Sequence, residues 1–218
     1  MRTVVRAQVL CFYVWSLSQP QAYRTMGLAA MLCYLTGFRA AEIRPFHKPG
    51  ITDEGVRVVS AKRKRGQEEI VKLCQWSKRL WAVVERAKRD QKVASVFLFP
   101  NRRGHPYTKS GWASVWQDAM YSFIGEFDNS IAREYEAKKM HEAAHREPRR
   151  QPDPQRHGVE DHKAPAYFSM LDIRPTTITA KLTNRDSNAD DFASHADRSS
   201  STHGHYDRRR ARVAKVTE

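Results

Sequence analysis

The segment Leu35-Thr-Gly-Phe-Arg-Ala-Ala-Glu-Ile43 couples a side chain suited to phosphate with a backbone suited to present it. A helix ends in Thr36-Gly37, where glycine frees the chain to turn. Arg39 then opens the next helix, whose first N–H groups also favour anions. Its planar guanidinium matches two phosphate oxygens at once. Glu42, three residues on, is placed to orient it; the plainer alternative is a surface arginine with a helical partner. Arg174 in Met170-Leu-Asp-Ile-Arg-Pro-Thr-Thr177 is the second such candidate. Pro175 fixes its own φ and pushes Arg174 toward an extended conformation, which aims the side chain out of a helix start. A different chemistry is written in His141-Glu-Ala-Ala-His145, which satisfies the H-E-x-x-H zinc-peptidase pattern. Its neighbours Lys138, Lys139, Arg146 and Glu147 offer little apolar surface, and Pro148 stops the helix. A catalytic zinc helix needs a dry, supported setting, so this is read as a chance match and the zinc peptidase as a minor alternative. No metal site or cofactor is expected.

The elements that must position these residues belong to a 218-residue chain with 40% hydrophobic content, enough for a single domain. Lysine and arginine number 38 against 24 aspartate and glutamate, a formal charge of +14. A surplus of that size points to a polyanionic partner, of which nucleic acid is the commonest; a basic protein without such a partner is the alternative. Cys11, Cys33 and Cys74 are odd in number and widely spaced, which reads as reduced, buried thiols in the cytoplasm. Met1 to Trp15, with two arginines before the apolar stretch Val9 to Trp15, faintly resembles a signal peptide but is short and shows no small-residue cleavage pattern; Met26 to Phe38 is too short for a membrane span and reads as a core helix.

Apolar periodicity predicts a buried helix over Gln21 to Phe38 and a short helix from Ala40. Val56 to Ser60 and Glu68 to Leu73 flank the basic turn Ala61-Lys-Arg-Lys-Arg-Gly66 and read as a β-hairpin. Ser77 to Arg89 is amphipathic. Val96 to Phe99 is a strand candidate, and Thr108 or Ser110 caps a helix running to about Phe123. Ile131 to His145 is a charged helix within a polar insertion over about 124–165, whose proline-rich part, 147–164, reads as a linker. A further helix is expected to start at Pro175, another over Asn188 to Ser194, and a basic tail over 207–218.

Taken together, the Arg39 segment, the basic hairpin, the Arg174 segment and the run Phe192-Ala-Ser-His-Ala-Asp197 to His205-Tyr-Asp-Arg-Arg209 resemble the catalytic domain of tyrosine recombinases (phage-integrase type). The resemblance implies a mainly α domain with a small antiparallel sheet (α+β). It implies breakage and rejoining of DNA through a 3′-phosphotyrosyl intermediate, without metal or ATP. Residue by residue it makes Arg39 and Arg174 the phosphate-binding arginines and His195 a donor to a non-bridging oxygen. Tyr206 becomes the nucleophile. A tyrosine hydroxyl has a pKa of about 10, so it needs the two arginines beside it. Lys62 matches the lysine that protonates the leaving 5′ oxygen, with Lys64 the alternative. His205 is a supporting candidate, and Arg63, Lys64, Arg65 and Lys109 are DNA-binding candidates. The family's partners are double-stranded DNA and further copies of itself, as a tetramer on paired sites. Its usual N-terminal core-binding domain is expected to be absent.

One position departs from the pattern. Leu171 stands where the family has histidine or lysine, and leucine neither donates to a phosphate nor moves a proton. Two functions therefore follow from the resemblance: an active recombinase or integrase, and a degenerate or truncated one that only binds DNA.

Overall fold

The computed structural model describes residues 4–60, 71–144 and 167–183. These comprise seven α-helices and one two-stranded antiparallel sheet, the mainly α architecture that the sequence implies. The order is α1 (Arg6–Ser16), α2 (Gln21–Thr36), α3 (Ala40–Ile43), β1 (Gly55–Val59), β2 (Val71–Gln75), α4 (Lys78–Arg89), α5 (Lys109–Gly125), α6 (Asn129–Ala144) and α7 (Met170–Thr183). No described helix is long and apolar enough to cross a membrane.

Helix α2 is the axis of the core. Its run Met26 to Cys33 is buried without a break, because α1, α4, α5 and α7 all pack on it; a helix apolar all round can exist only where every face is covered. Helix α4 shows the other pattern. Leu80, Val83, Val84 and Ala87 form its buried stripe, and the Ser77 hydroxyl caps it by accepting from the Leu80 N–H at 3.2 Å. Helix α5 is capped in the same way, by Thr108 accepting from Gly111 N at 3.0 Å.

Helix α1 was not foreseen from the sequence, although it carries the aromatic centre of the core. Phe12 is fully buried. Its ring lies 5.3 Å from that of Trp116, 5.5 Å from Phe123 and 5.8 Å from Phe168. Trp116 Nε1 donates to the Phe168 carbonyl at 3.0 Å, so this cluster ties α5 to the residues that lead into α7.

The hairpin forms as expected, with Gly55 opposite Gln75 and Val59 opposite Val71. Its facing is unusual. On β2 the lysine at position 72 is buried, while Val71 and Leu73 are exposed. Four other expectations need correction. The helix placed at Pro175 starts five residues earlier, at Met170, and contains the proline. Ser169 and Asp172 set that start: the Ser169 N–H and hydroxyl donate to the Asp172 carboxylate at 3.0 and 2.7 Å. Packing of Ile173 and Ile178 then outweighs the helix-breaking tendency of proline. Arg174 is consequently helical, not extended. Val96 to Phe99 forms only a single bridge, between His47 and Phe97. Of the thiols, Cys33 alone is buried; Cys11 is exposed and Cys74 half-buried. The expected linker over 147–164, the helix at 188–194 and the tail lie outside the described residues.

Replacing Phe12 by alanine is expected to cost about 3–5 kcal/mol of unfolding free energy, the range for large buried aromatics. Phe127→Ala, at a residue 77% exposed, is expected to stay within about 0.5 kcal/mol. Chemical denaturation of the two variants checks the contrast.

Candidate functional site

Gly37 ends α2 in the left-handed conformation, with φ 63°, and its N–H closes the helix on the Cys33 carbonyl at 2.8 Å. That turn, which glycine adopts without strain, sends the chain back so that Arg39 becomes the residue before α3. The Thr36 hydroxyl steadies the corner by accepting from Phe38 N at 3.2 Å. Arg39 holds an extended backbone at this cap, φ −72° and ψ 150°. Its N–H donates to Glu42 Oε2 at 2.7 Å. Glu42 therefore contacts Arg39 at its backbone N–H as well as at its guanidinium.

The Arg39 guanidinium, 20% exposed, places Nη1 at 3.3 Å from Glu42 Oε1 and 3.3 Å from the Ser60 hydroxyl. Glu42 is almost entirely buried, and it has a closer cation. Lys72 Nζ, reaching in from β2, sits 2.6 Å from the same Oε1. Burial lowers the lysine's pKa to about 8; the hydrogen bond and charge of Glu42 oppose that, and the charges of Arg39 and Arg174 add to it.

Arg174 approaches from α7. Its Nη1 donates to the backbone carbonyl of Gly37, the same corner that presents Arg39. Two threonines on α7 fix the helix around it. The Thr176 hydroxyl bonds the Val4 carbonyl at 2.9 Å, and the Thr177 hydroxyl bonds the Tyr34 carbonyl at 3.0 Å. Cys33 lies inside the same cluster: burial pushes its thiol up to about 12, with Arg174 pulling down and Glu42 pushing up. It is a neutral packing group.

The structure thus brings together Arg39, Glu42 and Arg174 from two segments that the sequence singled out. It adds Lys72 and Ser60, which the sequence reading did not select. The signal for Lys72 was the strand alternation itself, which puts it on the opposite face from Val71 and Leu73. Among the described residues, Arg39 and Lys72 both contact the Glu42 carboxylate, and the charge of Arg174 acts on Lys72 from α7. Such an arrangement holds a net positive potential in a partly desolvated setting, where charge acts more strongly than in water, and it can bind an anion but cannot itself supply a nucleophile. Leu171 is 67% exposed, one helical turn before the buried Arg174. Lys109 is exposed at the start of α5. Lys62, Arg63, Lys64, Arg65, His195, His205 and Tyr206 lie outside the described residues, as does His145 of the zinc pattern. His141 and Glu142 are exposed on α6, a helix with no buried residue; it packs on α5 through Tyr135, stacked on Tyr121 at 4.0 Å. That is not the dry, supported setting a catalytic zinc requires.

The backbone is similar to that of several integrases in solved complexes with DNA. The Tn1549 transposon integrase bound to circular intermediate DNA superposes with a TM-score of 0.57 at 15% identity, over 98% of this chain and 62% of that one. A lambda integrase dimer bound to a COC′ core site gives 0.57 at 14% identity, over 99% and 62%. The XerH site-specific recombinase bound to its difH substrate gives 0.51 at 13% identity, over 94% and 50%. The chain therefore has the integrase catalytic-domain fold, and it spans less than two thirds of the chains it matches. No protein-family model and no curated protein sequence matches it.

Replacing Glu42 by glutamine should leave Lys72 as a buried cation without its carboxylate, at a cost of about 3–5 kcal/mol at pH 7. A lysine whose folded pKa lies below its unfolded value destabilises the fold in full while it is charged below the folded value, and that penalty falls away progressively as pH rises from the folded toward the unfolded value. The deficit of Glu42→Gln is thus expected to shrink between pH 7 and pH 9, as read by denaturant unfolding at both.

Proposed function

We propose that this chain is the catalytic domain of a site-specific DNA recombinase or integrase that breaks and rejoins DNA through a 3′-phosphotyrosyl intermediate. The observation that carries the reading is the convergence of Arg39 and Arg174 on the Gly37 corner, inside a fold shared with integrases.

In this reading the Arg39 and Arg174 guanidiniums take the non-bridging oxygens of one DNA phosphate, joined by His195. The Tyr206 oxygen attacks phosphorus, the bond from phosphorus to the 5′ oxygen breaks, and the tyrosine becomes esterified to the 3′ phosphate. Lys62, or Lys64 in the same basic turn, gives a proton to the departing 5′ oxygen. Rejoining is the reverse: a 5′ hydroxyl attacks the phosphotyrosine and the tyrosine leaves. Two fixed cations stabilise the charge that builds on the pentacoordinate phosphate, and because they are already in place they need no reorganisation during the reaction. Arg63, Arg65 and Lys109 serve as backbone contacts, which fix register on the duplex without reading sequence. Association of several copies on paired DNA sites and a location with the DNA in the cytoplasm belong to the same reading.

A specific observation favours a second reading. Leu171 presents an exposed hydrocarbon at the position where the resemblance calls for histidine or lysine. A domain with both phosphate-binding arginines and one proton-moving group fewer would still hold DNA, and a binding-only relative is the consequence if Tyr206 does not react.

A suicide duplex that traps the covalent intermediate separates the two. The active enzyme is expected to give an adduct that survives denaturing electrophoresis, disappears in Tyr206→Phe and falls by about 100-fold or more in Arg174→Ala, the usual scale for losing one preorganised transition-state donor. Salt-sensitive binding with no adduct at any protein concentration supports the binding-only reading. No DNA binding at low salt contradicts both.

A further inference from the structure

We propose that Lys72 is a positioning residue: it neutralises Glu42 so that the charge of Arg39 is left for the phosphate. The inference rests on the reading that Arg39 holds a DNA phosphate.

The geometry sets up a competition at one oxygen. Lys72 Nζ and Arg39 Nη1 both address Glu42 Oε1, at 2.6 Å and 3.3 Å. The carboxylate and the lysine are buried, with side chains 1% and 4% exposed, whereas the Arg39 side chain is 20% exposed. A buried carboxylate needs one counterion close at hand. Lys72 meets that need by the shorter and drier contact. Arg39 keeps the longer contact, shares its Nη1 with the Ser60 hydroxyl and retains a face toward solvent. Loss of the Lys72 charge removes the nearer competitor at Oε1 and strengthens the pull of Glu42 on Arg39, and an arginine drawn onto a buried carboxylate is a poorer phosphate ligand. The lysine reaches the ligand only through Glu42 and touches no reacting atom.

Among the described residues, the charged groups that act on Lys72 come from two elements. Glu42 and Arg39 come from α3 and its cap, and Arg174 comes from α7. Cys33 on α2 is held neutral by burial. Val58, its partner across the hairpin, is apolar, and Ser60 carries no charge. The two arginines stay charged throughout the accessible pH range, so the lysine is the group in this cluster that titrates at mildly basic pH. Burial has already brought its pKa to about 8. Loss of its proton should therefore weaken the grip on phosphate above that pH, which a purely structural lysine would not do.

The test uses the full chain in three forms: wild type, Lys72→Arg and Lys72→Met. One readout is affinity for a linear duplex at fixed low salt, between about pH 7 and pH 9. The other is the Arg39 Nε–H resonance in the free protein over the same range, assigned through Arg39→Lys. Wild type is expected to lose about tenfold in affinity as pH rises, the scale of one charge-assisted phosphate contact. Lys72→Arg should hold its affinity across the range, because a guanidinium does not titrate there. Lys72→Met should be about tenfold weaker already at pH 7 and flat thereafter, on the same scale. In wild type the Arg39 resonance should move with a midpoint near pH 8, and in Lys72→Arg it should stay still. Equal affinity of wild type and Lys72→Met at both pH values overturns the proposal, as does an Arg39 resonance that ignores pH in wild type. Should Lys72→Met fail to fold, Lys72→Arg and the resonance decide alone. Should wild type bind no duplex at any pH, the recombinase reading fails, and the resonance still decides whether Lys72 governs Arg39.

Discussion

A carboxylate that is almost wholly removed from water is the constraint on which the site is built. Moving an ion from water into a protein interior costs several kcal/mol unless partners replace its hydration. Among the described residues, Glu42 recovers that cost from the Arg39 N–H, from the Arg39 guanidinium and from Lys72. Each recovery fixes something else. The backbone bond sets where α3 begins. The guanidinium contact sets the direction of Arg39. The lysine contact brings β2 against α3 with its polar face inward, which is why Val71 and Leu73 are turned to solvent.

The second arginine is held by a different device. Gly37 turns the chain through a left-handed residue, and its buried carbonyl at that turn accepts Arg174 from 137 residues further along the chain. Two cations would ordinarily repel each other at such a corner. The aromatic cluster about Phe12, the Trp116 bond to the Phe168 carbonyl and the threonine bonds of α7 hold the helices in place regardless. An apolar core thus supplies the rigidity, and the site retains like charges close together. An anion with two free oxygens, such as a phosphate diester, is the natural complement to that arrangement.

Much of this was legible in the sequence, and the reasons differ by residue. Helix α2, the cap of α5 and the turn at Gly37 follow from local chemistry, since glycine and threonine signal their positions within a few residues. Arg39 and Glu42 were legible because they are neighbours on one short helix. Three features were not. Helix α1 was obscured because its faces, covered unevenly by aromatic rings, lack a clean period. The start of α7 was misplaced because Pro175 is a strong local stop, and only the Ser169–Asp172 cap and tertiary packing reverse it. Lys72 was passed over because a lysine in a strand ordinarily faces water; its partner lies thirty residues away in sequence, beyond any local pattern. Most of the fold was therefore readable from local signals, whereas α1, the start of α7 and the counterion of the site depended on tertiary placement.

The central claim is that Arg39 and Arg174 act on one phosphate, and a double-mutant cycle on duplex affinity tests it most directly. Arg39→Ala, Arg174→Ala and the double variant would be compared at one pH and one salt concentration. Residues sharing a ligand are coupled, so the double variant should be less impaired than the sum of the singles by about 1 kcal/mol or more. Losses that add to within about 0.5 kcal/mol, the behaviour of independent sites, would contradict the account.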